Sequence, residues 1–531
     1  MKVALINVSQ VEVYGNLSAV RPTHPPLGLA YLASYIERTG HKPFIIDQDA
    51  LGMTDEQMIQ KLAEERPGMV GITVVTPSFP RATRVAARIK QALPDTPVVQ
   101  GGIHPTIVPR DALVPDPWDI VVKGEGEETL AELVAALEAK RPLDGIRGVL
   151  FKRDGQIVEN PPCPLIPDLD VLPFPARHLY PNIRYSYPDA MEHPVQPIFT
   201  SRGCPANCTY CQTKNIFTRK FRVHSARYVV DEIEECVNKY GAREIHIWDD
   251  NFTTRKDRVL EIRDEIKRRG IRVKFAFPNG LRADYINFEV LKALVDMGAY
   301  SISFGIESGN DKVLKFIEKG ESLDRVRQSV RWAQQVGLEV WGFFMLGFPI
   351  DTRETMQDTI DFAKELDVDV AKFHILQPYP GSKVYYQLEE MGLITNRNYE
   401  DYGIHTRPVH KLPGLTEDDI LAIQKSAYRQ FYLRPRKVWQ HLKRVRSIAR
   451  LRSKVKMGLA ILKVCAIGSS EKRLAGEYDS PAPGPDRKPE NIPSQVAVPD
   501  WKQVQQRIES LEGNIQERII TAEDWERQDR K

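Results

Sequence analysis

The sequence predicts an α/β protein with two sheets of parallel strands, followed by a helical carboxy-terminal region. Three observations predict this fold class. Short β-rich runs alternate with helical patterns over residues 2–138, a similar alternation resumes over residues 196–376, and a proline-rich stretch separates the two series. Such alternation with short connections is typical of parallel sheets covered by helices. A chain of 531 residues also exceeds the usual size of one domain.

The first series predicts a doubly wound, Rossmann-like domain over residues 1–140. Strands are expected at Lys2–Asn7, Pro43–Asp47, Met69–Val75, Thr96–Gln100 and Asp119–Val122, with helices near 27–39, 54–65, 79–92 and 127–138. Ligands bind such sheets beyond the carboxyl ends of the strands. Residues 141–192 are rich in proline and lack a sustained period, so they are expected to form a linker.

The second series predicts a partial (β/α)6 barrel over residues 193–395. Its strands are expected at 196–200, 244–249, 273–278, 300–305, 339–346 and 370–376. Functional residues of barrels cluster at the carboxyl ends of the strands. Beyond residue 395 the pattern becomes helical, so we expect a helical region over 396–470 and a proline-rich tail with a terminal helix over 471–531.

Composition limits the setting in which the chain works. The formal net charge of +3 does not by itself imply a nucleic-acid partner. Three of the six cysteines lie within eight residues and the others are scattered, which is unlike a disulfide framework and favours a reducing, cytoplasmic compartment. No stretch resembles a signal peptide, and no apolar run approaches the roughly 20 residues that cross a bilayer.

The strongest motif follows the first strand of the second series, where Cys204, Cys208 and Cys211 stand in one short loop. Clustered thiolates favour an iron–sulfur cluster or zinc. A structural zinc site needs four protein ligands, and no fourth cysteine or paired histidine lies at suitable spacing, His224 being the nearest candidate. A four-iron cluster held by three cysteines leaves one iron open, so the count favours a cluster.

The C-x3-C-x2-C spacing, with Tyr210 before the last cysteine, resembles the signature of the radical S-adenosylmethionine (SAM) superfamily. The resemblance implies that the three cysteines hold a [4Fe-4S] cluster whose open iron chelates the amino and carboxylate groups of SAM. An electron delivered through the cluster then yields a 5′-deoxyadenosyl radical. It also implies an external electron donor of the flavodoxin or ferredoxin type, while the protein contributes positioning and protection.

Four further segments of the second series extend this resemblance. They are Asp249-Asp250-Asn251-Phe252, Asn279-Gly280-Leu281-Arg282, Gly305-Ile306-Glu307-Ser308-Gly309 and Leu346-Gly347-Phe348-Pro349, each at or just after an expected strand end. By this likeness Glu307 and Ser308 would bind the ribose or methionine part of SAM. Arg282 would meet its carboxylate, and Gly347 would let the backbone approach the adenine. The alternative is that the glycines form turns and the charges are solvated.

The first domain resembles the cobalamin-binding domain that precedes many radical SAM enzymes. The resemblance rests on Pro25-Pro26-Leu27-Gly28-Leu29, Gly71-Ile72-Thr73-Val74, Gly101-Gly102-Ile103-His104-Pro105 and Gly124-Glu125-Gly126-Glu127. It implies that Thr73, Gly101 and Gly102 bind cobalamin. Glycines after a strand would let a flat corrin ring lie close to the backbone. His104 is interpreted as a loop or pocket residue without a metal role.

One departure from the family pattern concerns the ligand to cobalt. The Asp-x-His-x-x-Gly loop of some cobalamin domains corresponds here to Asp47-Gln48-Asp49-Ala50-Leu51-Gly52, so Asp49 replaces the axial histidine. Carboxylate is a poor substitute for imidazole at cobalt. Either cobalamin binds without a lower protein ligand, as is common among radical relatives, or the domain has another role.

A basic amphipathic pattern covers residues 434–467, where lysines and arginines alternate with apolar residues at helical spacing. Such a helix can lie on an anionic membrane surface, which would give peripheral membrane contact. It can equally pack its apolar stripe on the barrel. Nucleic acid is the poorer option, because aromatic stacking platforms are few.

The resemblance implies a cobalamin-dependent enzyme, similar to class B radical SAM methyltransferases, that methylates or otherwise modifies an unactivated carbon of a small-molecule or lipid-like substrate. One alternative is oxidative cyclisation without methyl transfer, as in the anaerobic cyclase of bacteriochlorophyll synthesis. A methylthiotransferase is disfavoured because no cysteine precedes Cys163. A non-enzymatic cobalamin or metal sensor also remains open, and no motif identifies the substrate.

Overall fold

The computed structural model describes residues 1–10, 23–403 and 406–437, and these contain two main sheets within one compact unit. The strands are β1 Lys2–Asn7, β2 Lys42–Asp47, β3 Met69–Thr73, β4 Val98–Gly101, β5 Ile120–Val122, β6 Val149–Arg153, β7 Gln156–Glu159, β8 Val195–Ile198, β9 Ser201–Arg202, β10 Arg222–Val223, β11 Glu244–Ile247, β12 Lys274–Leu281, β13 Ala299–Glu307, β14 Glu339–Leu346 and β15 Val370–Ile375.

The helices of the same residues alternate with these strands. They are α1 Leu27–Arg38, α2 Gln48–Leu51, α3 Asp55–Glu65, α4 Phe79–Ala92, α5 Ile103–Ile107, α6 Pro109–Leu113, α7 Gly126–Glu138, α8 Thr213–Phe217, α9 Ala226–Tyr240, α10 Lys256–Arg269, α11 Phe288–Met297, α12 Asp311–Phe316, α13 Leu323–Gln335, α14 Arg353–Leu366, α15 Lys383–Glu390 and α16 Glu417–Tyr432.

The first sheet has the strand order β2-β1-β3-β4-β5-β6-β7, and its first five strands are parallel. Successive side chains of β1 enter different cores. Val3 and Leu5 pack in one apolar cluster with residues of α1 and α7, whereas Ala4 and Ile6 pack in another with residues of α3 and α4. Because strand side chains alternate between faces, both faces are covered, which confirms the doubly wound domain.

Two strands of this sheet were not expected, since β6 and β7 fall within residues 141–192. They pair antiparallel with β5 and with each other. The turn between them is Asp154-Gly155, with φ of 50° and 74°, and two left-handed residues suit a tight hairpin turn. The Asp-Gly pair was the sequence signal, and the expectation of a linker over residues 141–192 is wrong for β6 and β7, which belong to the first sheet.

The second sheet has the order β15-β14-β13-β12-β11-β8, and all neighbours in it are parallel. The chain order and the spatial order agree, as expected for consecutive β/α units. Strands β8 and β15 stand at opposite edges of the sheet order, so the predicted partial barrel of six strands is confirmed. Helices α9, α10, α11, α13 and α14 carry apolar residues into its outer core.

Helix α16 covers the edge strand β15. The hydroxyl of Tyr432 accepts from the Ala371 N–H (3.1 Å) and donates to the Ala371 carbonyl (2.8 Å). The hydroxyl of Tyr428 accepts from the Phe373 N–H (3.2 Å). Exposed backbone groups of an edge strand are thereby satisfied. Residues 396–416 contain only a short 3-10 turn, Tyr399–Asp401, in their described part, so the expected helical region over 396–470 contributes α16 to the described structure.

The basic segment enters the structure only with its first residues. Arg434, Arg436 and Lys437 all ion-pair with Asp367, and Lys437 also donates to the Val368 carbonyl (2.6 Å). The start of the basic segment is therefore held against the barrel. Residues 438–467 lie outside the described residues, so the predicted membrane contact stays a prediction. In the part of the chain that is described, no helix is both long and apolar enough to span a bilayer.

Candidate active site

The three-cysteine loop is closed at its base by a small hairpin. Strand β9 precedes Cys204, and β10 follows the loop and pairs antiparallel with β9. Gly203 stands at this base with φ +91°, and a Cβ there would lie 2.3 Å from the Lys220 carbonyl oxygen. Only glycine allows so close an approach. The hairpin thus holds both ends of the cysteine loop beside the end of β8.

All three cysteines line one cavity of about 380 Å³ at the carboxyl end of the barrel. Tyr210, Arg282 and Glu307 line the same cavity, so the structure brings these predicted residues together. Other wall residues are Ala206, Thr213, Lys214, Asp250, Gly280, Gly305, Lys319, Phe343, Met345, His374, Ile375, Leu376, Gln377 and Tyr379.

The cysteine loop brings three thiols to the wall of one cavity. In a [4Fe-4S] cluster each thiolate binds a different iron, so three cysteines leave one iron open for a further ligand. Burial raises the pKa of Cys204 to about 11, and the Arg282 guanidinium lies 3.7 Å from the Cys208 sulfur. A nearby cation suits thiolates that carry a cluster.

Two buried cations face this cavity. Lys319 lies 3.4 Å from Glu307, and although burial lowers its pKa, Glu321 and Glu307 raise it above the ordinary value. Arg282 donates to both carboxylate oxygens of Asp284 (3.0 and 2.7 Å). Both groups therefore stay charged and suit the carboxylate of a ligand. Lys319 was missed by the sequence reasoning, because it lies beyond α12 and not at a strand end.

Backbone shape also distinguishes this end of the barrel. Glu307 adopts φ +67°, a left-handed conformation that is uncommon for glutamate and often marks functional positions. A Cβ on Gly280 would lie 2.9 Å from the Gly305 backbone nitrogen. No side chain would fit between Gly280 of β12 and Gly305 of β13, so the cavity wall is flat at this point.

Two predicted SAM contacts do not reach the wall of this cavity. Ser308 hydrogen-bonds Thr359 (3.2 Å). The Gly347 carbonyl accepts from His410 (2.8 Å), and the Gly347 N–H donates to Asp351 (2.9 Å). The roles assigned to Ser308 and Gly347 therefore stay predictions.

A second cavity of about 650 Å³ lies beyond the carboxyl ends of the first sheet and extends to the barrel. Thr73, Gly101 and Gly102 line it from the first domain, and Trp248 and Asn279 line it from the second. Gly102 has φ +104°, and a Cβ there would lie 2.9 Å from the Val74 carbonyl oxygen. The position matches the expected ligand site of a doubly wound sheet, and its side-chain-free wall fits a flat ring.

The expected departure at the cobalt ligand has a structural counterpart. Asp49 accepts hydrogen bonds from the Ser9 hydroxyl (2.6 Å) and the Gln10 N–H (3.0 Å), and it lines a smaller neighbouring cavity. His104 is buried against Phe79. Among the described residues that line the 650 Å³ cavity there is no histidine, so the wall fits cobalamin held without a protein imidazole.

These two cavities meet at the cysteine loop, because Thr213 and Asp250 line both. The Cys211 thiol donates to the Thr213 hydroxyl (3.3 Å), which lies 3.3 Å from Asp250. Burial, together with Asp249, raises the pKa of Asp250 to about 6. Sequence reasoning placed Asp250 at a strand end but gave no signal for Thr213.

A buried ion network joins the two domains beside this junction. Glu125 accepts from Arg202 (3.0 Å), from Arg222 (2.8 Å) and from the Ile166 N–H (2.7 Å). Arg202 also pairs with Glu127 (2.5 Å). Because Arg202 belongs to β9 and Arg222 to β10, the first domain holds the hairpin that carries the cysteine loop.

Known families match both halves of this arrangement. The family model of the radical SAM superfamily matches residues 198–363, and that of the B12 binding domain matches residues 15–134. The fold and site therefore define a radical SAM enzyme with a cobalamin-binding domain. Its cofactors are a [4Fe-4S] cluster, SAM and cobalamin.

The relatives narrow this class. An uncharacterized methyltransferase of Pyrococcus horikoshii is 38% identical over 78% of this chain and 90% of its own length. The chain thus belongs to the family of cobalamin-dependent radical SAM methyltransferases. An anaerobic magnesium-protoporphyrin IX monomethyl ester cyclase of Rubrivivax gelatinosus is 27% identical over 77% of this chain and 74% of its own length.

Solved structures agree on the fold. The methyltransferase TsrM from Kitasatospora setae, solved with cobalamin and a [4Fe-4S] cluster, aligns with a TM-score of 0.66 and 19% identity. The alignment covers 86% of this chain and 99% of TsrM. The two-domain architecture is therefore shared.

Proposed function

We propose that this protein methylates an unactivated carbon of a small organic or lipid-like substrate. The observation that carries the proposal is the meeting of the two cavities at Thr213 and Asp250. When bound, the cluster and SAM would supply a 5′-deoxyadenosyl radical, and cobalamin would carry a methyl group that originates from a second SAM molecule. A substrate carbon can then face both cofactors from one position, which is the proximity that such a two-cofactor reaction needs.

The side chains of the barrel end have distinct roles in this proposal. Cys204, Cys208 and Cys211 hold the cluster. Arg282 and Lys319 neutralise the carboxylate of SAM, since both are buried cations on the wall of the same cavity. Glu307 accepts hydrogen bonds from the amino group or the ribose.

The first domain acts as a second wall in this proposal. Thr73, Gly101 and Gly102 contact the corrin side, while Trp248 of the barrel covers the opposite side. Enclosure between the domains keeps the radical away from bulk solvent, which limits side reactions. We further propose that reduction comes from a flavodoxin or a ferredoxin.

Anaerobic reconstitution with iron, sulfide and hydroxocobalamin tests the proposal. The desalted protein should retain bound cobalamin by absorbance and form 5′-deoxyadenosine from SAM with a low-potential reductant. Cys208→Ala should abolish this cleavage, whereas Cys163→Ala, a cysteine outside the loop, should retain it. Cleavage without cobalamin retention would refute the methyl-transfer role of the first domain, and no cleavage under any reductant would refute the radical chemistry.

Oxidative cyclisation is the second candidate, and it is favoured by the similarity to the anaerobic cyclase. The two reactions differ in the product. With SAM that carries a labelled methyl group, methylation places the label on the substrate carbon, whereas cyclisation leaves the product unlabelled.

A further inference from the structure

A lysine on β15 faces the interior of the barrel below the cysteine cavity. Lys372 is paired in register with Phe343, and His374 with Met345. Paired residues of parallel strands point to the same side, and Phe343, Met345 and His374 line the cysteine cavity. Lys372 therefore also points inward, one residue pair deeper into the barrel than His374.

Lys372 has aromatic neighbours in place of a counter-ion. Its ammonium lies 4.8 Å from the centroid of Trp341 and 5.4 Å from that of Phe343. It forms no hydrogen bond or ion pair with any residue among those that the structure describes. Burial lowers its pKa, and only the charge of Asp189 opposes this shift. The side chain is half-buried, and a cation in such a partly desolvated position is stabilised when a ligand brings an anion to it.

Lys372 is not a wall residue of either cavity, but its neighbours reach both. Phe343, which it contacts, is a wall of the cysteine cavity. His24 interacts electrostatically with Lys372, and its ring stacks edge-on against Trp248 (5.0 Å), a wall of the larger cavity. Burial, His246 and Lys372 lower the pKa of His24 to about 4, so His24 is neutral at neutral pH and does not compete with Lys372 for an anion.

We propose that Lys372 binds the anionic head of the substrate, so that the substrate is an organic acid whose apolar body lies against the aromatic wall of Trp341, Phe343 and Trp248. This inference rests on the proposed function, because it assumes that substrate occupies the space between the two cofactors. The head is a carboxylate, a phosphonate or a phosphate group, since each of these carries the negative charge that would pair with the Lys372 ammonium.

Binding of model anions to the reconstituted holoenzyme tests this assignment. Benzoate and phenylphosphonate provide the two head groups, and benzyl alcohol is the neutral probe, with dissociation constants measured by titration calorimetry. We expect the anions to bind at least tenfold more tightly than the alcohol, because a charge-assisted hydrogen bond in a desolvated site corresponds to roughly tenfold to hundredfold in affinity. The tighter anion identifies the head group.

Variants separate a direct contact from a structural effect. Lys372→Met should weaken both anions at least tenfold and leave benzyl alcohol unchanged, while Lys372→Arg should retain anion binding. Lys267→Met, which removes an exposed lysine paired with Asp296, should match the wild type. A merely structural role would weaken all three probes together.

Two results would overturn the assignment. The first is that Lys372→Met binds both anions as tightly as the wild type. The second is that Lys372→Met keeps its affinity for the anions but loses affinity for SAM, which would assign Lys372 to cofactor binding. Cofactor retention and SAM cleavage by the wild type are measured first. If they fail, the proposed function fails, whereas normal cleavage with no anion binding refutes only the role of Lys372.

Discussion

Replacing Glu125 by glutamine should loosen the junction between the two domains. Only 1% of its side chain is exposed, against 9% for Arg222 and 13% for Arg202. The substitution removes the negative charge but keeps the shape. Arg202 retains Glu127, and Arg222 retains the Ile166 carbonyl (2.6 Å). Both guanidiniums nevertheless lose the shared carboxylate that compensates for their burial.

The expected magnitude follows from these contacts. Removing one partner from a buried ion pair costs about 3–5 kcal/mol, because a desolvated charge is left uncompensated. The remaining partners of Arg202 and Arg222 place the cost near the lower limit, at about 3 kcal/mol. Since the arginines belong to β9 and β10, the cysteine loop should also lose order.

Chemical unfolding of the apoprotein measures the loss of stability, and cobalamin retention after desalting measures the loosening of the junction between the domains. Glu128→Gln is the matched control, because Glu128 is exposed in the first turn of α7, the helix that follows Glu125, and should change stability by less than about 0.5 kcal/mol. If Glu125→Gln and Glu128→Gln behave alike in both assays, the network does not join the domains and the reasoning fails.

Two further predictions concern backbone shape and pH. Gly102→Ala should destabilise the protein by about 1–3 kcal/mol and reduce cobalamin retention, because φ is +104° and the added Cβ would collide with Val74. Gly414→Ala is the control, since Gly414 has φ +73° but open space around it, and it should destabilise the protein less and retain cobalamin. Equal effects of the two substitutions would contradict this prediction. Burial lowers the pKa of His410 from 6.5 to about 4, so the unfolded chain binds the proton first and stability falls as the pH drops from 6.5 toward 4. His410→Gln should flatten this dependence by up to about 1.4 kcal/mol per pH unit in urea unfolding at a series of pH values, and an unchanged slope would argue against it.

The sheets were predictable because their signals are local. Parallel strands buried on both faces appear as short apolar runs, and helices appear as a period of 3.6 residues. Every predicted strand has a counterpart in the structure. The hairpin of β6 and β7 was missed because its proline-rich surroundings outweighed the Asp154-Gly155 turn signal.

The residues of the candidate site were predictable where a short motif or a strand end marks them. The spacing of Cys204, Cys208 and Cys211 predicts a ligand set without reference to the rest of the fold. Strand ends pointed to Arg282 and Glu307, because the carboxyl ends of parallel strands meet at one edge. Lys319 follows a short helix and had no such signal.

The order of elements, the three-cysteine motif and the glycines that follow strands can all be recognised in the sequence, since each depends on residues close in the chain. The tertiary structure alone decided which distant groups meet. Glu125 pairs with arginines 77 and 97 positions away, and Lys372 faces the barrel interior without an anion. Such encounters depend on how whole sheets and helices pack, and burial then sets their charge energetics, which no local periodicity encodes.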